Sequence, residues 1–212
     1  MIITPTRKNN LEENSSLTCF EYNYISHCCQ QQHDVYGIMQ RFIENIKPKR
    51  ILEIGTSIGG FTNFLKIICN NSNLDCKILS YDVISYDWYK GMIDFGIDVR
   101  VENIFNNDYT EVDGFVKKFI KEPGTTIVFC DGGNKIKEFN LLSKYIKTGD
   151  YILAHDYAEN NAIYIEKIKN KIWNWCEITE QDIFDAVKQH NLVDYEKESF
   201  NNVVWTCKTK LI

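Results

Sequence analysis

Apolar residues recur along the chain first at helical spacing and then in short runs. Apolar positions three and four residues apart predict an amphipathic helix over residues 35–46, which Pro48 ends. Short apolar runs after it predict strands at residues 50–54, 77–81, 99–101, 126–130 and 151–154. Helical patterns separate these runs, at residues 61–68, 112–120 and 141–146. Strands that alternate with helices predict a parallel sheet covered on both faces.

The last third of the chain adds further elements. A helical pattern covers residues 163–172, and Thr179 with Asp182 has the spacing of a capping box that opens another helix. Two strand-like runs flank the turn-forming pair Asn201-Asn202 and predict a terminal hairpin. The whole pattern predicts a single-domain α/β fold, a Rossmann-like doubly wound sheet that is mostly parallel with a C-terminal antiparallel hairpin strand.

The beginning of the chain differs from the rest. It is polar and weakly periodic, which predicts a flexible or loosely docked N-terminal arm over residues 1–30 and a folded domain over residues 31–212. Residues 1–14 lack the apolar segment of a secretory signal, and no apolar run approaches the ~18 residues of a membrane-spanning helix. We therefore expect a cytoplasmic protein that does not contact a membrane.

Composition and charge narrow the class of protein. The 212 residues are 44% hydrophobic and 25% charged, which excludes a wholly disordered or fibrous chain. The net charge of -5 does not favour a nucleic-acid partner, because binding phosphate needs a basic face. The eight cysteines are scattered without a C-x-x-C pair, so we expect reduced, mostly buried thiols and no zinc site.

Polar residues gather where the predicted strands end. Each strand ends on or beside one of these residues: Glu53, Asp82, Asn103, Asp131 and the pair His155-Asp156. The carboxyl ends of parallel strands lie at one edge of a sheet, and ligands bind there at the point where strand order reverses. A single Asp in such a place is often only a loop start or a helix cap. The whole set on one edge predicts a ligand site.

The loop after the first predicted strand discriminates among nucleotide-binding sites. A phosphate-binding P-loop needs a lysine after its last glycine, whereas Phe61 follows Gly60, so a P-loop is excluded. The dinucleotide-binding fingerprint needs a glycine where Ser57 stands and is disfavoured.

The same loop suits a cationic amino-acid nucleoside better than a pyrophosphate. Gly55 and Gly59 allow the backbone to approach a ligand where a Cβ would clash. Glu53 can pair with a cationic group of the ligand, and Asp82 can accept from two ribose hydroxyls. The loop and Asp82 therefore predict a nucleoside site.

The segment Glu-Ile-Gly-Thr-x-x-Gly-Gly at residues 53–60 resembles the first motif of the class I S-adenosylmethionine-dependent methyltransferases. Tyr81-Asp82 matches their ribose-binding position. The runs at residues 131–135 and 147–156 are similar to one subgroup, the small O-methyltransferases and cephalosporin-hydroxylase-like (macrolide sugar O-methyltransferase) proteins. The resemblance spans about residues 35–208 and implies S-adenosylmethionine as the cofactor.

The resemblance also implies where the cofactor lies. The glycine loop would wrap its methionine portion with Glu53 beneath, Asp82 would bind ribose, and residues 103–105 would border adenine. Relatives carry an acid where Asn103 stands. The implied cofactor-binding residues are Glu53, Gly55, Thr56, Ser57, Gly59, Gly60, Phe61, Asp82, Val83, Asn103, Ile104, Phe105 and Asp131.

Catalysis would depend on the ends of the fourth and fifth predicted strands. By the resemblance, Asp131 and Asp156 would hold a divalent metal, with Mg²⁺ the candidate, although His155 and Asn134 differ from residues found in relatives. The catalytic candidates are Asp131, His155 and Lys135. His155 would be a general base or a structural histidine at the sheet edge. Lys135 would deprotonate a hydroxyl only if burial lowered its pKa, and is otherwise a solvated surface lysine.

The resemblance implies transfer of a methyl group from S-adenosylmethionine to an oxygen of a small-molecule or sugar acceptor. Trp173, Trp175, Tyr157 and Tyr164 would form a wall for that acceptor, or would be core or dimer contacts in a homo-oligomer. One alternative is a non-catalytic or differently liganded Rossmann-like module that serves as a partner subunit. Another is an NAD-dependent oxidoreductase. The nucleic-acid N-methylation signature Asp/Asn-Pro-Pro-Tyr is absent after residue 130.

Overall fold

The computed structural model describes residues 3–11 and 16–211. Its strands are β1 (Leu17–Tyr22), β2 (Ile25–Gln30), β3 (Arg50–Ile54), β4 (Lys77–Asp82), β5 (Asp98–Val101), β6 (Thr126–Cys130), β7 (Tyr151–Ala154), β8 (Tyr157–Ala158), β9 (Ile178–Thr179), β10 (Leu192–Asp194) and β11 (Thr206–Lys210). Its α-helices are α1 (Val35–Ile46), α2 (Gly60–Asn71), α3 (Tyr89–Asp94), α4 (Gly114–Lys121), α5 (Lys135–Leu142), α6 (Asn161–Ile163), α7 (Glu180–Gln189) and α8 (Lys197–Asn201). A π-helical turn, Tyr164–Ile168, follows α6.

Seven strands form a central sheet in the order β10-β11-β7-β6-β3-β4-β5. The strands from β7 to β5 pair in parallel, and β11 pairs antiparallel with both β7 and β10. The chain winds outward from β3 to β5 and then crosses to β6, so strand order reverses between β3 and β6. This confirms the predicted doubly wound α/β fold, and it places the ligand edge at the carboxyl ends of these two strands.

Helices cover both faces of the sheet because its central strands are buried on both sides. Every residue of β3 and β6 is buried. Successive residues of a strand point to opposite faces, so Ile51 packs with the cluster that includes α1 and α2, and Leu52 packs with the cluster that includes α4 and α5. In the part of the chain that the structure describes, no helix is long and apolar enough to cross a membrane.

The N-terminal region is packed into the fold, in contrast to the predicted loosely docked arm. β1 and β2 form an antiparallel hairpin, and its Phe20 is fully buried with ring contacts to Tyr36 and Phe64. Cys19 and Cys28 face each other in register and form a disulfide, so the expectation of reduced thiols was wrong for these two. Their pairing follows from the hairpin register, which the spacing of nine residues does not reveal.

The C-terminal third departs from the predicted elements in two places. The helical pattern at residues 163–172 forms only the short α6 and the π-helical turn. The predicted hairpin does pair, with Leu192 opposite Lys210, but α8 joins its strands and Asn201 ends that helix instead of forming a tight turn. The connection is longer because Phe200 of α8 is fully buried in the core. The capping box of Thr179 and Asp182 is present at the start of α7.

Candidate active site

A cavity of about 470 Å³ lies at the carboxyl ends of β3, β4, β6 and β7. Glu53 lies beneath it and is 1% exposed. The other site residues predicted from the sequence line the same cavity: Gly55, Thr56, Ser57, Gly59, Gly60, Phe61, Asp82, Val83, Asn103, Ile104, Phe105, Asp131, Lys135, His155 and Asp156. The size is that of a site for a small molecule or cofactor.

At two positions of the loop after β3, neighbouring backbone leaves space only for glycine. Gly55 has a φ of +95°, and a Cβ there would lie 2.2 Å from the backbone oxygen of Asp131. A Cβ on Gly60 would lie 1.8 Å from the backbone oxygen of Cys28 in β2. These glycines therefore let the loop contact the end of β6 on one side and the N-terminal hairpin on the other.

Glu53 joins this loop to the sheet through side-chain hydroxyls. Its Oε2 accepts from Thr62 Oγ1 at 2.6 Å and from Ser80 Oγ, and Ser80 Oγ lies 2.6 Å from Thr56 Oγ1. Burial raises the pKa of Glu53 to about 7, against the lowering effect of the two hydroxyls. A carboxyl in this state accepts a neighbouring cation readily, because a positive charge offsets the cost of its burial.

Asp82 fixes the loop from the end of β4. One of its oxygens accepts from the backbone N–H of Ser57 at 2.6 Å, and the other accepts from that of Ile84 at 2.9 Å. The Tyr89 hydroxyl donates to the backbone oxygen of Ser57 at 2.8 Å. Asn103, after β5, accepts from the backbone N–H of Phe105 at 3.0 Å. The ends of β4 and β5 are therefore held in place around the cavity.

Asp131 and His155 form a hydrogen-bonded pair at the ends of β6 and β7. Asp131 Oδ1 lies 3.0 Å from His155 Nδ1, and its Oδ2 accepts from Gln31 Nε2 at 2.8 Å. The Trp205 indole donates to Gln31 Oε1 at 2.9 Å and stacks on the His155 ring at a centroid distance of 4.7 Å. Gln31 directly follows the predicted arm of residues 1–30 and belongs to no motif, so the sequence did not single it out.

His155 keeps one ring nitrogen unused. The residue is 2% exposed, and among the described residues its Nε2 has no hydrogen-bond partner. Burial lowers the pKa of His155, but the Asp156 and Asp131 carboxylates outweigh this effect and raise the pKa above its ordinary value. An imidazole can take up a proton when its Nδ1 is bonded to a carboxylate and its Nε2 has no partner.

Lys135 lies against three carboxylates. Its Nζ is 2.8 Å from Glu177, 3.0 Å from Asp156 and 3.6 Å from Asp131, and it donates to the backbone oxygen of Gly132 at 3.2 Å. Burial alone would lower the pKa of Lys135, but the carboxylates outweigh it and raise that pKa above its ordinary value. Both expectations for Lys135, a lowered pKa or a solvated surface position, were therefore wrong.

Glu138 and Asn134 organise the turn between β6 and α5. Glu138 accepts from the backbone N–H groups of Gly132 and Asn134 at 3.1 Å and 3.0 Å, and burial raises its pKa to about 7. Asn134 caps α5 by accepting from the backbone N–H of Lys137 at 3.2 Å. The sequence signal for Glu138 would have been its place in the first turn of a helix. The helix was predicted at residues 141–146, after Glu138, so this signal was missed.

The four aromatic candidates have different roles. Trp175 lines the cavity and is 38% exposed. Trp173 is buried and donates to Asp156 Oδ1 at 2.5 Å. Tyr157 and Tyr164 are buried and donate to Glu180 and to the backbone oxygen of Asn174. Trp175 is therefore the member of this group that can contact an acceptor.

The cluster of Asp131, His155 and Asp156 has the spacing of a metal site, since one ligand atom from each lies within 4.8 Å of the others. The loop residues and Asp82 fit a nucleoside cofactor, because they surround a cavity large enough for one. In the same cavity, however, the Lys135 ammonium lies on the carboxylates that would bind the metal. As they are arranged here, these residues fit the ammonium and not a divalent ion.

The reversal of strand order, the glycine loop after β3 and the acid ending β4 define the class of S-adenosylmethionine-dependent methyltransferases. The family model described as Rhamnosyl O-methyltransferase/CmcI matches residues 18–210. The chain belongs to this family, and it is an S-adenosylmethionine-dependent O-methyltransferase. No sequence among the curated proteins matches the chain.

Solved structures share the fold at low sequence identity. An apo structure of CmcI and a CmcI structure described as Mg-SAM each have a TM-score of 0.59 and 11% identity, over 91% of this chain and 76% of that chain. An O-methyltransferase family protein from Burkholderia thailandensis has a TM-score of 0.52 and 8% identity, over 84% of this chain and 56% of that chain.

Proposed function

We propose that this chain methylates a hydroxyl oxygen of a small-molecule or sugar acceptor, with His155 as the general base. One observation carries the proposal: the Asp131–His155 pair lines the same cavity as the glycine loop and Asp82, and the buried Nε2 of His155 has no partner among the described residues. Acceptor and cofactor would thus meet at one end of the sheet. S-adenosylmethionine supplies an electrophilic methyl group on its sulfonium.

The cofactor would lie along the loop after β3. The backbone of Gly55, Ser57 and Gly59 would follow its methionine portion, and residues 103–105 would border its adenine. The Asp82 carboxylate has two oxygens that each accept one backbone N–H, which leaves further lone pairs for ribose hydroxyls. Buried Glu53 would stabilise a positive charge above it.

His155 would remove the acceptor's proton during transfer. Its Nδ1–H donates to Asp131, which holds the tautomer with a free lone pair on Nε2. The acceptor oxygen would take the methyl group that the cofactor supplies, and His155 Nε2 would accept the hydroxyl proton. Asp131 and Asp156 would then stabilise the imidazolium, which would lose the proton to water once the product has left the cavity.

The acceptor would bind between this pair and the outer wall of the cavity. Trp175 offers a partly exposed aromatic face, and Glu177 offers a carboxylate that accepts from hydroxyls. That combination suits a polyhydroxylated ring. The acidic balance of the chain keeps a nucleic-acid acceptor disfavoured. A cytoplasmic location and a homo-oligomer stay predictions.

Calorimetric titration with S-adenosylmethionine, and separately with NAD⁺, tests the cofactor. We expect binding of S-adenosylmethionine alone, weakened at least tenfold in Asp82→Ala because the ribose loses its acceptor. Asp87→Ala, an exposed acid on the same loop, serves as the control. A folded protein that gives no heat with S-adenosylmethionine would instead support the differently liganded module.

The turnover rate of His155→Gln tests whether His155 is the general base. Removing a general base typically costs 10²–10⁴-fold in rate, so we expect kcat to fall by about that factor while S-adenosylmethionine affinity stays within a few-fold of wild type. The assay measures S-adenosylhomocysteine release with a panel of hydroxylated acceptors. Unchanged kcat in a folded His155→Gln protein would remove His155 from the reaction.

A further inference from the structure

Lys135 is a buried cation at the centre of the acidic cluster. It is the first residue of α5, its side chain is 6% exposed, and its Nζ contacts carboxylates from three separate segments. Asp131 follows β6, Asp156 follows β7, and Glu177 precedes β9. A buried ammonium needs such partners, because leaving it unpaired in the protein interior is costly.

The protein also supplies a donor to every oxygen of the two innermost carboxylates. Asp131 Oδ1 pairs with His155 Nδ1 and Oδ2 with Gln31, at 3.0 Å and 2.8 Å. Asp156 Oδ1 accepts from Trp173 at 2.5 Å, and Oδ2 contacts Lys135 at 3.0 Å. The cluster is therefore a closed network in which each of these four oxygens contacts a group of the protein itself.

We propose that the Lys135 ammonium occupies the cation position at Asp131 and Asp156, so that this chain works without a divalent metal. The inference rests on the proposed function, because it concerns the same cavity. A metal between these carboxylates would have to displace the ammonium and break its contacts with Glu177 and Asp156. His155 adds a nitrogen where Mg²⁺ prefers oxygen, which further disfavours that ion.

An ammonium in this position has a defined use in methyl transfer. Lys135 and His155 both line the cavity, so the acceptor oxygen would meet a fixed positive charge next to the base. The positive charge favours an acceptor oxygen that becomes more negative as its proton leaves. Lys135 also holds Asp131 and Asp156 in place, and Asp131 in turn contacts His155 Nδ1 at 3.0 Å.

Binding of Mn²⁺ followed by electron paramagnetic resonance tests the inference with the metal alone. We expect wild type to leave Mn²⁺ free at millimolar concentration. Lys135→Met, which removes the ammonium and keeps most of the side-chain volume, is expected to bind one Mn²⁺ that Mg²⁺ displaces. The double variant Lys135→Met/Asp156→Asn should lose that site. Lys144→Met, at an exposed lysine just beyond α5, is the matched control and should behave as wild type.

Two outcomes of the Mn²⁺ experiment overturn the inference. One is stoichiometric Mn²⁺ binding by wild type that Asp131→Asn abolishes. The other is a folded Lys135→Met protein that binds no Mn²⁺, because the ammonium would then not be what excludes the ion. If Lys135→Met does not fold, Lys135→Gln replaces it, and turnover of wild type in excess EDTA gives a second measurement. Full turnover there supports the inference, and loss restored by Mg²⁺ contradicts it.

The same experiment separates this inference from the proposed function. The Mn²⁺ spectrum reports the cation position whether or not methyl transfer occurs. A protein that shows the expected contrast between wild type and Lys135→Met, yet binds no S-adenosylmethionine, would disprove the proposed function and leave the cation assignment standing.

Discussion

Glu53 shows how one buried acid connects the fold to the site. It belongs to β3, lies under the glycine loop, and accepts from hydroxyls of α2 and β4. Burial raises its pKa from 4.5 to about 7. A carboxyl with a raised pKa favours folding while it is protonated, and this contribution is lost as pH rises through the folded value. Glu53 therefore costs stability near neutral pH, when no cation lies above it.

Glu53→Gln tests this cost, because glutamine keeps an oxygen that accepts from the hydroxyls but carries no charge. We expect the variant to be similar to wild type in stability below pH 4.5 and more stable at pH 8. One pKa unit corresponds to about 1.4 kcal/mol, so the difference should reach up to about 3 kcal/mol. Urea unfolding between these pH values measures it. A difference that does not change with pH would show that Glu53 is not destabilised by burial.

At the scale of elements, the N-terminal hairpin and α2 form one side of the cavity. The first turn of α2 contacts β2 so closely that Gly60 has no room for a Cβ beside Cys28. The disulfide between Cys19 and Cys28 holds the two hairpin strands together at the same point. Gln31, directly after β2, reaches Asp131. Displacing the hairpin from α2 would therefore disturb the Asp131–His155 pair.

Gly60→Ala is expected to destabilise the fold by about 1–3 kcal/mol, the usual cost of forcing a group into packed space. Gly91→Ala is the matched control, because Gly91 is an exposed glycine of α3 with open space at its Cβ position. That change should be neutral or stabilise by up to about 1 kcal/mol through helix propensity. Urea unfolding of both variants measures the contrast. Equal free energies of unfolding for the two variants would show that the hairpin moves away from α2 at little cost.

For the whole molecule, the cavity joins the two halves of the sheet. The loop after β3 and the end of β4 come from one half, and Asp131 and His155 come from the other. A ligand that contacts both halves binds the folded state and has no site in the unfolded chain. Its binding must therefore raise the unfolding temperature.

A saturating cofactor gives the size of this effect. At a hundred times its Kd, S-adenosylmethionine should add about 2.7 kcal/mol, which for a chain of this size is roughly 5–10 °C in Tm. Differential scanning fluorimetry of wild type and Asp82→Ala measures the shift, with NAD⁺ as the control ligand. An equal shift with NAD⁺, or none with S-adenosylmethionine, would contradict the assignment of the cavity.

The local pattern of hydrophobic and polar residues was sufficient to predict much of the architecture. The predicted helix at residues 35–46 and the strands at residues 50–54 and 126–130 have the bounds found in the structure. The pattern failed where burial depends on distant partners. Phe20 of the hairpin is buried against Tyr36 of α1 and Phe64 of α2, and contacts between such distant positions leave no periodic pattern in the local sequence.

The sequence by itself determined the α/β fold and the glycine loop with Asp82, because hydrophobic period and glycine spacing are local properties of the chain. Tertiary structure alone decided the charge of the site. Lys135 meets Glu177 from 42 positions away, and Trp205 reaches Gln31 across 174 positions. Whether a lysine is a solvated cation or an internal one depends on which carboxylates the fold brings within a few ångströms, because electrostatic interactions depend on distance and burial.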